Sequence, residues 1–213
     1  MKKITLTALL CLIVLPHVAR ADDLIPPSWR GQPGTTGQVW GFSTPQATAV
    51  FPDGAPAGAL PPIDQTQVSI STHPGAGWLS EDMGRQGVWP LSGELHFLID
   101  NYKQENPLKM VQMQLVWRPQ DPQAVPPQGP ELFFINPTID SPLLRYDTPL
   151  DDVWTHTRYT WEYRPNPQFE EFHVLGDINV DQVVIDTWCT VPEPASMGLL
   201  ALGAVAIVTR RRR

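Results

Sequence analysis

Proline and glycine set the limits on what this chain can fold into. The 213 residues hold 24 prolines and 15 glycines, and they are spread along the body as punctuation. Breaks fall at Pro26-Pro27, Pro61-Pro62, Pro119 to Pro130 and Pro165–Pro167. A proline inside a helix removes a hydrogen bond and clashes with the preceding turn. No interval in the body shows a helical stripe with caps. The intervals instead carry short runs of period-two alternation. Met110 to Trp117 is the clearest: Val111, Met113, Leu115 and Trp117 share one face, and Gln112 and Gln114 take the other. In Val153 to Tyr163, the residues Val153, Tyr159, Trp161 and Tyr163 oppose His156, Arg158, Thr160 and Glu162. Val39 to Phe42, Gln67 to Thr72, Gly93 to Ile99, Leu132 to Ile135 and Phe169 to Leu175 are further strand candidates, while Gly75 to Gly87 reads as a glycine-rich loop. Ile178 to Trp188 is apolar on both faces, which suits a central strand.

Many short strands separated by turn signals predict an all-β body, a single antiparallel β-sandwich, either a jelly roll or a galactose-binding-like sandwich. Asn106-Pro107, Asn136-Pro137 and Asn166-Pro167 are evenly spaced, but their flanks differ, so they read as turn initiators and not as a repeat.

The two ends have a different character from the body. Lys2-Lys3 precedes the apolar run Ile4 to Leu15, and Ala19-Arg20-Ala21 follows as an A-x-A cleavage pattern. This is the layout of a secretory signal peptide, cut after Ala21 to leave Asp22 at the mature N-terminus. At the other end stand Pro192-Glu193-Pro194, the apolar run Ala195–Thr209 and the cluster Arg210-Arg211-Arg212-Arg213. Both basic clusters stay on the cytoplasmic side, so the body between them faces outward. The expected organisation is a signal peptide over 1–21, which is helical, a β-sandwich domain over 22–190, and a tail over 191–213 with a short apolar helix.

Motif, apolar run and terminal arginines together resemble the PEP-CTERM family of exported bacterial proteins. The resemblance implies a Gram-negative-type host, recognition of the tail by an exosortase and processing near Pro192, Glu193 and Pro194. It also implies transient residence in the inner membrane, then delivery to the cell surface or exopolysaccharide matrix. Signal peptidase and the general secretion machinery are the partners implied at the N-terminal end, where Ala19 and Ala21 mark the cut. Fifteen apolar residues span about 22 Å as a helix, against a hydrocarbon core of about 30 Å. A run this short favours a sorting signal over a plain permanent anchor. Trp29 to Gln32 through Trp40-Gly41-Phe42, with Val183 to Cys189, also looks like the lectin-like or galactose-binding-like sandwiches seen in many PEP-CTERM proteins.

Charge narrows the partners. Between Asp22 and Val191, eight basic residues face 21 acidic ones, a formal charge of −13. Such a body repels phosphate backbones, which excludes nucleic acid as a partner. Cys11 leaves with the signal peptide, so Cys189 has no partner for an internal disulfide. It is either buried at the end of the last strand or available for a bridge between chains.

Two groups invite a ligand. Asp177, Asn179 and Asp181 alternate just before the last apolar run and could offer oxygens to a structural calcium ion, the one cofactor the sequence suggests; the competing reading is a solvated strand start. Among the eight tryptophans, Trp78 and Trp89 flank the glycine-rich segment and Trp154 falls on a polar face. These three are the candidates for stacking on sugar rings, against the alternative of core filling. No catalytic constellation is legible. The carboxylate pairs Glu81-Asp82, Asp151-Asp152 and Glu170-Glu171 are adjacent and point apart on strands. His73, His96, His156 and His173 are scattered and show no zinc-type spacing. The expected function is therefore a non-enzymatic structural or adhesive role at the surface or in the matrix. The alternative is a carbohydrate-binding module for exopolysaccharide.

Overall fold

The computed structural model describes residues 23–59, 66–72, 77–101, 107–124, 129–136, 139 and 141–189. The predicted signal helix and C-terminal apolar helix lie outside these residues. Among the described residues none is helical, and no helix is long and apolar enough to cross a membrane. The body is all-β, as the proline punctuation predicts. Its strands are β1 (Thr35–Trp40), β2 (Gln67–Ser71), β3 (Leu79–Asp82), β4 (Arg85–Asp100), β5 (Lys109–Pro119), β6 (Glu131–Asn136), β7 (Leu144–Pro149), β8 (Thr155–Tyr163) and β9 (Phe169–Cys189). Every pairing between them is antiparallel.

Strand β9, 21 residues long, organises the rest. Strand β4 pairs with it from Phe169 to Val180, and β6 from Glu171 to Leu175. Further along, β5 takes Ile178 to Cys189 and β1 takes Val183 to Trp188. Strands β4 and β6 share partners on β9, so they lie on opposite edges, and the same holds for β1 and β5. Because β4 and β5 both pair with Ile178 to Val180, β4 and β1 follow one edge and β6 and β5 the other. The path β2-β4-β9-β5-β8-β7 then carries the sheet outward to both sides.

The first half of β9 buries its even-numbered residues Phe172 and Val174, and then Ile178 and Val180, in the main apolar cluster. The second half buries the odd-numbered Val183 and Ile185. The switch has a local cause. Trp117 pairs with Val180 and Val116 with Gln182, leaving Asp181 without an opposite residue. This β-bulge inserts one residue and exchanges the faces. The run from Ile178 to Thr187 is buried throughout, in line with its two-sided apolar pattern.

Aromatic contacts close the core across the bend. Trp161 of β8 meets Phe172 of β9 at 5.4 Å and 79°, and Phe134 of β6 meets Trp161 at 5.3 Å. Trp40 of β1 stands edge-on to Phe97 of β4 at 5.3 Å. Val111, Met113, Leu115 and Trp117 of β5 all enter this cluster, as their alternation predicts.

Three local expectations are corrected. The end of the glycine-rich stretch is not a loop: β3 and the start of β4 form a hairpin there. Its two-residue turn, Met83-Gly84, has φ of 45° and 82°, and a turn with both central residues at positive φ matches the twist of the flanking strands. Strand β4 also begins at Arg85 and continues through Pro90, eight residues ahead of the Gly93 start read from the sequence. Val153 does not share the face of Tyr159 and Trp161. It is exposed in a turn before β8, where Asp151 accepts hydrogen bonds from the amides of Val153 (2.8 Å) and Trp154 (2.7 Å).

Candidate functional site

The two ends of the described chain converge on one face of the sheet. Residues 23–34 lie across polar side chains of β5 and β9. The amide of Ile25 donates to Gln114 Oε1 at 3.0 Å, and Gln112 Nε2 donates to the Ile25 carbonyl at 2.6 Å. Gln114 Nε2 donates to Asp23 Oδ1 at 2.8 Å. Arg30 forks between Asp186 (2.7 Å from Nε) and Asp23 (2.9 Å from Nη2). Burial alone would ease the proton off Arg30, but its hydrogen bonds to both carboxylates more than offset this and hold the guanidinium above its ordinary pKa. Asp23 lies two positions beyond Ala21, so a cut at the expected place would leave Asp23 in the folded body.

The last residues are fixed at the same place. Trp188 stacks on Trp29 at 6.1 Å and 22°, and its indole N–H donates to the Pro33 carbonyl at 3.3 Å. The Cys189 amide donates to the Gly34 carbonyl at 2.9 Å. The Cys189 side chain is buried, which disfavours the bridge between chains. Pro192, Glu193, Pro194 and Arg210 to Arg213 lie outside the described residues, as do Ala19 and Ala21. Cys189 is the last described residue, and Pro192 follows it three positions later in sequence.

The three candidate stacking tryptophans do not gather. Trp89 is 4% exposed and Trp154 is 1% exposed. Trp78 is half-buried against the core, and its indole N–H donates to the Phe42 carbonyl at 2.7 Å. Rings covered in this way have no free face for a sugar, which corrects the stacking expectation for Trp89 and Trp154. Trp154 packs with Val88 and Val116, and the guanidinium groups of Arg85 (5.7 Å) and Arg118 (5.9 Å) lie over its ring.

Of the three side chains read as calcium ligands, Asp181 is held by one of these arginines, and the other holds the neighbouring Asp82. Arg85 pairs with Asp181 at 3.1 Å. Arg118 forks onto Asp82 at 2.7 and 2.8 Å, and Asn179 Nδ2 donates to the same carboxylate at 2.7 Å. Burial raises the Asp82 carboxyl, but these hydrogen bonds outweigh it and hold the group below the usual range. Asp177 is exposed. The charges here are balanced by guanidinium groups.

The histidines are closer than their sequence spacing suggests. His96 of β4 pairs directly with His173 of β9, their rings stacked at 4.4 Å and 15°. Glu171 contacts His96 Nε2 at 2.8 Å and Glu94 contacts His173 Nδ1 at 2.6 Å. Ligand atoms of His96, Glu171 and His173 lie within 4.8 Å of one another, so these residues could hold a transition metal through two imidazoles and a carboxylate. The signal for this group was a Glu-x-His triplet in each strand, Glu94-Leu95-His96 and Glu171-Phe172-His173. Only the register of two strands far apart in sequence brings the triplets together.

A shallow groove beside the N-terminal segment is lined by Trp29, Gln112, Ser141, Thr160, Trp161 and Glu162, among others. Trp29 is half-exposed there, and sequence reading did not single it out as a ligand residue.

No curated protein and no solved structure matches the chain. Residues 190–213 match the family profile described as the PEP-CTERM protein-sorting motif. The stretch that follows β9 in sequence is therefore similar to the PEP-CTERM protein-sorting motif, which implies export and an exosortase as processing partner.

Proposed function

We propose that this is an exported β-sandwich protein, sorted through its tail to the cell surface or exopolysaccharide matrix, where it has a structural or adhesive role without catalysis. The observation that carries this reading is the junction itself: a matched sorting motif follows, without a linker, the last residue of the strand that organises the body. Contacts such as Phe134 of β6 on Trp161 of β8 support the sandwich, since β6 lies along the first half of β9 and β8 pairs with β5, which lies along the second. Signal peptidase frees the N-terminus, an exosortase processes the tail, and the inner membrane holds the chain only in between. Cell fractionation tests the route. The wild-type chain is expected in the surface or matrix fraction, and a chain with Glu193→Ala in the inner membrane. Identical distributions for the two would overturn the reading.

The groove at Trp29 favours a second reading, a carbohydrate-binding module. It joins a partly exposed indole to Gln112, Thr160 and Glu162, an apolar face beside hydrogen-bonding groups. A glycan array on the mature chain separates the two. Binding that Trp29→Ala abolishes supports the module, and no binding at all supports the structural role.

A further inference from the structure

A second polar group lies fully inside the protein, at the end of the sheet where β4 stops, β5 starts and β9 finishes. Lys109 and Glu170 form an ion pair with both side chains 0% exposed. Among the described residues the Lys109 ammonium makes no further hydrogen bond, and Glu170 Oε2 has no partner. A buried ion pair satisfied at only one contact is costly. The same Glu170 oxygen that meets Lys109 Nζ accepts from Asn101 Nδ2 at 3.3 Å. Asn101 Nδ2 also points at Asn166 Oδ1 (2.7 Å) and the Pro167 carbonyl (2.5 Å). On the other side of the same amide, the Cys189 thiol donates to Asn101 Oδ1 at 3.2 Å. Strand register fixes the arrangement, since Lys109 pairs with Cys189 on one edge and Tyr163 on the other.

We infer that Lys109 and Asn101 join through an intramolecular amide bond, formed after folding and without any added cofactor. The chemistry closes on the residues present. Burial raises the Glu170 carboxyl above its ordinary pKa, despite the opposing pull of Lys109, so Glu170 takes a proton from the ammonium and leaves a neutral amine. The amine lone pair attacks Asn101 Cγ, and a C–N bond forms. The oxygen of the tetrahedral intermediate gathers negative charge, and the Cys189 S–H is aimed at it. Burial also raises the thiol, which keeps its proton available for that bond. Glu170 carries one proton from Lys109 Nζ to Asn101 Nδ2. The Cγ–Nδ2 bond then breaks with its electrons on nitrogen, and ammonia departs. A planar amide nitrogen has two N–H groups for the three acceptors around Asn101 Nδ2. The departing, protonated nitrogen has three, so the site fits the leaving group better than the ground state. The reaction ends with an amide in place of the ammonium and with Glu170 protonated, which removes both buried charges.

Intact-mass measurement of the exported, folded chain tests this directly. The expected mass is that of the processed sequence less one ammonia. Trypsin cuts after Lys103 but not after an acylated Lys109, so residues 86–103 and 104–145 are expected as one joined species. Glu170→Gln keeps the shape, removes the proton carrier and is expected to show the full mass. Cys189→Ala is expected to slow the loss of ammonia at least about tenfold. Should Glu170→Gln fail to fold, wild-type chain held in urea serves as the unreacted control and gains the cross-link on refolding. A folded wild-type chain at full mass overturns the inference. So does a loss of water, which would join Lys109 to Glu170, or a joined peptide carrying Asn166 in place of Asn101.

Discussion

Trp154 shows how a residue's chemistry can be read correctly and its placement missed. Its polar neighbours His156 and Arg158 suggested an exposed ring, yet β8 starts only at Thr155, and Trp154 sits in the turn that Asp151 closes. The ring fills a small cluster between two arginines. Trp154→Ala is therefore expected to destabilise the body by about 3–5 kcal/mol, read by urea unfolding, and to leave any glycan binding unchanged in the folded fraction. Tyr159 makes a second prediction. Burial, with lesser effects from Arg145 and Asp147, pushes its phenol from 10.0 up to about 12. The protonated phenol donates to the Pro130 carbonyl at 2.7 Å. A raised pKa for an acid means that the folded state holds its proton more tightly than the unfolded chain. The stability is complete below pH 10 and falls as pH rises from there to about 12. Tyr159→Phe is expected to remove that alkaline loss, at a neutral-pH cost near the low end of about 1–3 kcal/mol, because Arg145 still donates to the same carbonyl at 2.8 Å. Unfolding curves across that alkaline range, for both chains, check the sign.

Strand β9 was legible as two pieces, and its continuity was not. Gly176 falls between the run Phe169 to Leu175 and the run Ile178 to Trp188, where the alternation breaks. In the structure it lies inside β9 at φ 150°, a value that L side chains rarely adopt, directly opposite Gly93. A Cβ on Gly176 would lie 2.8 Å from the Gly129 carbonyl oxygen, and one on Gly93 would lie 2.4 Å from that of Ser71. Each glycine admits a neighbouring backbone that no side chain would tolerate. Gly176→Val combines that clash with a strained φ and is expected to cost about 2–4 kcal/mol, seen as a lowered urea midpoint with an unchanged slope. The same reasoning explains which elements the sequence revealed. Alternating runs such as Met110 to Trp117 carry their own signal. Strand β7 alternates only Leu144 and Tyr146 with Arg145 and Asp147, too short a pattern to read, and every one of its residues is exposed. The histidine pair and the buried lysine depend on register between distant strands, which no local pattern encodes.

At the scale of the whole molecule, the chain joins a folded body to a sorting signal with almost nothing between. Thr190 and Val191 alone separate Cys189 from Pro192, so the motif lies within about 10 Å of the body even with the chain fully extended. The motif was legible at once, because it is a local arrangement of charge and apolar length. The consequence of its attachment needed the structure. Cys189 is held by Gly34 and Trp188 by Pro33 and Trp29, so the end of β9 cannot fray without releasing the N-terminal segment as well. The body must then stand close against the membrane while the tail is embedded, and a processing enzyme has to reach the motif beneath it. A flexible Gly/Ser linker of about ten residues inserted after Thr190 would move the body by roughly 17 Å on average. It leaves every contact of β9 intact, so the unfolding temperature of the body is expected to stay the same. Release of the processed form into the surface fraction is expected to accelerate, measured by pulse-chase labelling. Unchanged release with unchanged stability would show that access to the motif is not limited by the body. Slower release would show that the junction itself forms part of what the enzyme recognises.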